Sequence, residues 1–212
     1  MKRLLKASIA ALLLSTTAMT ASAAVVQLGS ISKNYGSAPG RSSYASTAGS
    51  CDTLNATSVT IRDTGGCQRF YDLFDFSFLN YSSLDRLTLT LTFQNTNGLF
   101  EDWNVRFAQS PTVAVSTANL LDMRNVGTNG TTQTFTFNAA NGGTANNTNA
   151  FDVVAANEKM YLWFAEEGLG SHSFNLSSAR LDVYGTAVPE PASMALFGIA
   201  LGALGLSRRR TR

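Results

Sequence analysis

The chain has 212 residues, of which 44% are hydrophobic and 14% charged, and a formal charge of +2. That balance excludes a disordered polyelectrolyte and is enough for a domain with its own core. The positive sum comes from the two ends: residues 24–187 carry nine Lys/Arg against 13 Asp/Glu, a charge of about −4, so the basic footprint that nucleic-acid binding needs is missing and no nucleic-acid partner is expected.

The first element is a leader. Lys2, Arg3 and Lys6 precede an apolar stretch from Ala7 to Leu14, and Ala21-Ser22-Ala23 has the form of a cleavage site. This pattern predicts a signal peptide over residues 1–23, cut between Ala23 and Ala24. Export puts Cys51 and Cys67 in an oxidising compartment, where a disulfide is the natural reading. It would close a loop of about 15 residues and contribute about 3 kcal/mol.

Residues 24–187 read as one domain of strands. Val25–Ile31 and Thr57–Arg62 come first. Arg69–Leu79 follows, with Phe70, Phe74, Phe76 and Phe78 on one face and, oddly, Asp72 among them. In Leu84–Gln94, Leu87, Leu89, Leu91 and Phe93 alternate with Thr88, Thr90, Thr92 and Gln94, the mark of a half-buried antiparallel strand. Further strands are expected at Trp103–Ala108, Thr112–Val115, Thr131–Phe137, Phe151–Ala155, Lys159–Ala165 and Ala179–Gly185. Lys159–Ala165 is apolar on both faces and so is expected to be central. Ser116–Arg124 is a candidate short helix. Tyr35–Gly49 and Asn138–Asn149 are polar loops. Many short strands between turn signals predict an all-β fold, an antiparallel β-sandwich of jelly-roll type, with a closed barrel as the alternative.

The last segment, residues 188–212, has a different character. Pro189 and Pro191 fix their own backbone and push Val188 and Glu190 away from helix, so Val188-Pro189-Glu190-Pro191 is an extended peptide of the kind a protease can thread. An uncharged run of 15 residues from Ala192 to Leu206 follows, shorter than the roughly 20 of an ordinary spanning helix. It is expected to form a hydrophobic helix. Arg208, Arg209 and Arg210 can snorkel at its end and predict a cytoplasmic C-terminus. The order Pro-Glu-Pro, apolar helix, arginine cluster resembles the PEP-CTERM sorting domain found on exported proteins of Gram-negative bacteria. The resemblance implies recognition by exosortase in the inner membrane, cleavage near Pro189–Pro191, and transfer to the cell surface, the medium or the exopolysaccharide matrix. Its sorting residues map to Pro189, Glu190, Pro191, Arg208, Arg209 and Arg210, and it assigns no activity to residues 24–187.

Within that body the chemical motifs are sparse. His172 is the sole histidine and sits among Gly168, Gly170, Ser171 and Ser173, which read as a solvated turn. Carboxylates for glycoside hydrolysis exist as Asp72, Asp75, Glu101, Asp102, Glu166 and Glu167, without a pairing visible in sequence. Asp52, Asp63, Asp72 and Asp75 leave a structural calcium open as a cofactor, although their spacing matches no known loop. Three readings follow. The first is a non-catalytic structural or adhesive protein that contacts extracellular polysaccharide. The second is a carbohydrate-binding module using Trp103, Tyr71 or Tyr81. The third is an exported hydrolase.

Overall fold

A computed structural model describes residues 24–45, 51–65, 70–108, 110, 121–145 and 148–188. Among the described residues the strands are β1 (Val25–Asn34), β2 (Thr53–Leu54), β3 (Val59–Asp63), β4 (Tyr71–Asp75), β5 (Tyr81–Gln94), β6 (Trp103–Ala108), β7 (Leu121–Asp122), β8 (Thr131–Phe137), β9 (Thr144–Ala145), β10 (Thr148–Asn149), β11 (Lys159–Glu166) and β12 (His172–Ala187), and the helix is α1 (Ala150–Asn157). A six-stranded sheet has the order β2-β3-β12-β5-β8, with β1 also paired to β12. A four-stranded sheet has the order β4-β11-β6-β7. Take β3, β4, β5, β6, β7, β8, β11 and β12 in chain order. One sheet then runs first-eighth-third-sixth and the other second-seventh-fourth-fifth, which is the jelly-roll connectivity. All pairings between these strands are antiparallel.

The alternation in β5 does what its pattern predicts. Leu87, Leu89, Leu91 and Phe93 are buried, and they stand beside Val183, Leu181 and Ala179 of β12 and Phe137 and Phe135 of β8. Rings from the two sheets meet across the core: Trp103 lies 4.7 Å from Phe174, Phe164 5.0 Å from Phe174, and Phe107 4.8 Å from Phe137. β11 is central to its sheet, between β4 and β6, as its double-sided apolarity requires. The two open edges of the sandwich are bridged by polar groups. On one side Gln133 of β8 accepts from the Arg124 amide and donates to the Asp122 carbonyl, both at 2.8 Å. On the other, Lys33 of β1 reaches Asp72 of β4.

Several expectations are corrected. Phe151–Ala155 is helical. The Asn149 side chain caps the first turn by accepting from the Phe151 amide, and the i, i+4 pair Ala150 and Val154 is buried with Phe151 between them. The strand expected over Arg69–Leu79 ends at Asp75, whose carboxylate accepts from the amide and hydroxyl of Ser77. The turn that follows sends Phe78 into solvent at 68% exposure. The last strand starts seven residues earlier than Ala179, so His172 belongs to it. A register shift between Leu176 and Ser178 moves the buried positions from even numbers (Phe174, Leu176) to odd ones (Ala179, Leu181, Val183), which hides the strand's first half from a simple alternation test. Leu121–Asp122, inside the expected helix Ser116–Arg124, pairs instead with Asn104–Val105; residues 116–120 and the expected strand Thr112–Val115 lie outside the described residues.

Candidate functional site

The broadest functional surface is the outer face of the six-stranded sheet. The pairings align its outward side chains into rows that cross four strands. Thr136, Thr88, Asp182 and Ser30 form one row; Thr134, Thr90, Arg180 and Ser32 the next; Thr132, Thr92, Ser178 and Asn34 the third. Thr132, Thr134, Thr136, Ser30, Ser32, Asn34 and Arg180 are exposed. Thr90 meets Thr134 and Thr92 meets Thr132, each 3.1 Å between hydroxyl oxygens, and Arg180 donates to Asp182 at 2.9 Å between adjacent rows. Neighbouring strands stand about 4.8 Å apart, so the face presents hydroxyls at regular short spacing and needs no lining cavity. Sequence reading identified the outward threonines of β5; the rows exist only once the register is known.

The second feature is the pole where the chain ends leave. Val25 lies opposite Thr186 and Tyr81 opposite Ala187, so β1 begins and β12 ends side by side. Ala24, the first residue after the expected cleavage, is exposed there, as are Val25, Val26 and Val188. Ala23, Pro189, Glu190, Pro191, Arg208, Arg209 and Arg210 lie outside the described residues. Among the described residues no helix is long and apolar enough to cross a membrane.

At the opposite pole, where β12 begins, the carboxylates of Glu101, Glu166 and Glu167 are occupied by hydrogen bonds and an ion pair, while Asp102 is exposed. Glu166 Oε1 accepts from the Gly168 amide at 2.8 Å and the Asp102 amide at 3.2 Å, and lies 3.2 Å from His172 Nδ1 in a geometry that is not an aligned hydrogen bond. His172 is thus a half-buried strand residue against a carboxylate, not a solvated loop residue. Glu101 accepts from Trp103 Nε1 and the Gly98 amide, and Glu167 pairs with Arg106. Asp72 and Asp75 point to opposite faces of β4, Asp72 buried and Asp75 exposed. The aromatics of the binding-module reading are equally committed. Trp103 is buried, Tyr81 donates to the Ala155 carbonyl at 3.1 Å, and Tyr71 packs against Tyr161 with centroids 6.2 Å apart.

The aspartates proposed for calcium do not converge. Asp52 accepts from the Arg62 amide at 3.0 Å, Asp75 pairs with Ser77 and Lys159, and Asp63 ends β3 in solvent. Among the described residues no group of three or more His, Cys, Asp or Glu is placed to hold a metal ion. Cys51 is exposed just before β2, and its expected partner Cys67 lies outside the described residues.

Among the described residues Asp72 is the one fully buried acid. Its Oδ1 accepts from Lys33 Nζ at 2.7 Å, the Leu73 amide at 2.9 Å and the Ala45 amide at 3.0 Å, and its Oδ2 accepts from the Tyr35 hydroxyl at 2.7 Å. Tyr35 is wholly buried; its burial, and then the Asp72 charge, hold its phenol well above the usual tyrosine range. Lys33 lies over the Phe74 ring, 5.1 Å from its centroid. Sequence reading noted the odd Asp72 but had no means of finding partners 39 and 37 residues away.

Among known families, the model of the PEP-CTERM protein-sorting motif matches residues 187–210. No curated protein matches the chain.

Proposed function

From a chain that carries a PEP-CTERM sorting motif, and is therefore an exported substrate of exosortase, we propose that the β-sandwich body is a non-catalytic structural or adhesive component of the cell surface or extracellular matrix that holds to exopolysaccharide. The observation that carries this reading is the hydroxyl lattice on the six-stranded sheet. It offers many weak hydrogen bonds over a flat face, which suits a long, hydroxyl-rich polymer better than a small ligand in a pocket. The same exposed Ser and Thr residues would accept O-linked glycans. Glu101, Glu166 and Glu167 are engaged in bonds to neighbouring amides, Trp103 and Arg106, which favours the non-catalytic reading over the enzymatic one.

The test is co-sedimentation of the exported protein with insoluble exopolysaccharide from its own host. Thr90→Val, Thr92→Val, Thr132→Val and Thr134→Val together keep the shape and the β-propensity of the face while removing its hydroxyls. Retention at least about tenfold lower is expected, a loss of about 1.4 kcal/mol spread over four hydroxyls. Unchanged retention sinks the lattice reading. Tight binding to a single glycan on an array, unaffected by these changes, would replace it with the binding-module reading.

A further inference from the structure

Lys33, Asp72 and Tyr35 are more than an ion pair with a spectator. We infer that in the mature protein Lys33 and Asp72 are joined by an amide bond between Nζ and Cγ, formed by the fold itself with release of one water.

Four observations converge on this bond. The amine nitrogen is 2.7 Å from Oδ1, one bond from the carbon it would attack, and the two residues sit on edge strands of opposite sheets, so folding holds them in contact. Water is largely shut out: the Asp72 side chain is 1% exposed, and Tyr35, Phe70 and Phe74 are buried. The Ala45 and Leu73 amides both donate to Oδ1, the arrangement that stabilises negative charge on that oxygen when a nucleophile adds to Cγ. Finally, the Tyr35 hydroxyl donates to Oδ2, the oxygen that must leave, and stays protonated because it is buried.

The step balances without a co-reactant. The Lys33 ammonium passes one proton to the carboxylate, giving amine and acid. The nitrogen lone pair forms the N–Cγ bond, and the Cγ–Oδ1 π electrons move onto Oδ1. Tyr35 gives its proton to the hydroxyl at Oδ2 and is reprotonated by the proton the nitrogen sheds. The Cγ–Oδ2 bond breaks, the carbonyl re-forms at Oδ1, and water departs. Lys33, 20% exposed, leaves a path for it. Ammonium and carboxylate become amide and water, and nothing is oxidised or reduced.

Intact-mass spectrometry of the exported protein, with thiols reduced to remove any disulfide contribution, is the decisive measurement. A mass below that of the processed sequence by one water, about 18 Da, is expected. Trypsin should fail to cut after Lys33 and should yield a branched peptide joining the Lys33 and Asp72 segments. Lys33→Arg, which keeps the ion pair and the fold, should restore the full mass. Tyr35→Phe should slow the appearance of the linked form at least tenfold in a pulse-chase. A full-mass protein with a free Lys33 amine overturns the inference, as does loss of water that persists in Lys33→Arg.

Discussion

Val25 stands opposite Thr186 in the register of β1 and β12, three residues before Pro189. The two cleavage points expected from the sequence, after Ala23 and near Pro189–Pro191, therefore adjoin in sequence residues that share one pole of the body. The lattice face runs away from that pole along β5, β8 and β12. Between the end of β12 and Pro189 in the sequence stands Val188 alone.

Replacing Glu190 or Pro191 with Ala should leave the precursor in the membrane fraction at its uncleaved mass, read by fractionation and immunoblotting. Release at normal size would sink the assignment of these residues to sorting.

Gly185→Ala should lower stability by about 1–3 kcal/mol through overpacking. An added Cβ would sit 2.2 Å from the Ser83 carbonyl oxygen and 2.9 Å from Leu28, where the β5–β12 register is already irregular. Urea unfolding of the exported body measures it, with Gly40→Ala as the contrast in open space, its strain being only that of a positive φ.

Asn149→Ala should cost about 1 kcal/mol by removing the cap of α1. Asn149→Asp keeps the acceptor for the Phe151 amide but loses the donation to the Ala139 carbonyl, so it should fall between wild type and Ala.

Alkali should weaken the fold. The Tyr35 phenol has a raised folded pKa, so its contribution is fully present below the unfolded value, about 10, and declines as pH rises above it. The decline has a slope of up to about 1.4 kcal/mol per pH unit from this group. Tyr81, pushed up to about 12 by partial burial and then by Glu158, acts in the same direction. In the Lys33→Arg background, where Asp72 keeps both oxygens, adding Tyr35→Phe should lower stability at neutral pH through loss of the bond to Asp72, but the urea midpoint should fall less steeply above pH 10. Parallel curves for the two proteins would remove Tyr35 from the account.

Some elements were legible because local chemistry and global fold agree. Leu87 to Phe93 alternate cleanly, and the apolar run at Lys159–Ala165 is central because both its faces are covered. The rest turned on relations between distant residues. The start of β12 was hidden by one irregular residue near Ser177, and the helix at Ala150 was hidden by the two valines Val153 and Val154, which read as strand. The hydroxyl lattice and the Lys33–Asp72–Tyr35 cluster were invisible for a different reason. Each is assembled from segments whose register no local pattern specifies, so the threonines of β5 and Asp72 could be named but their partners could not.

The adjacency of the two chain ends also decides how the body responds to force. A pull between its N- and C-terminal residues loads β1 against β12 from one end, rung by rung, and peels the strand away. A pull between the C-terminal end of the body and the loops of the far pole instead runs along β12, loading its bonds to both β1 and β5 together. Anchored by its tail end and gripped elsewhere, the sandwich would resist as a shear joint; gripped by both ends it would open as a zip.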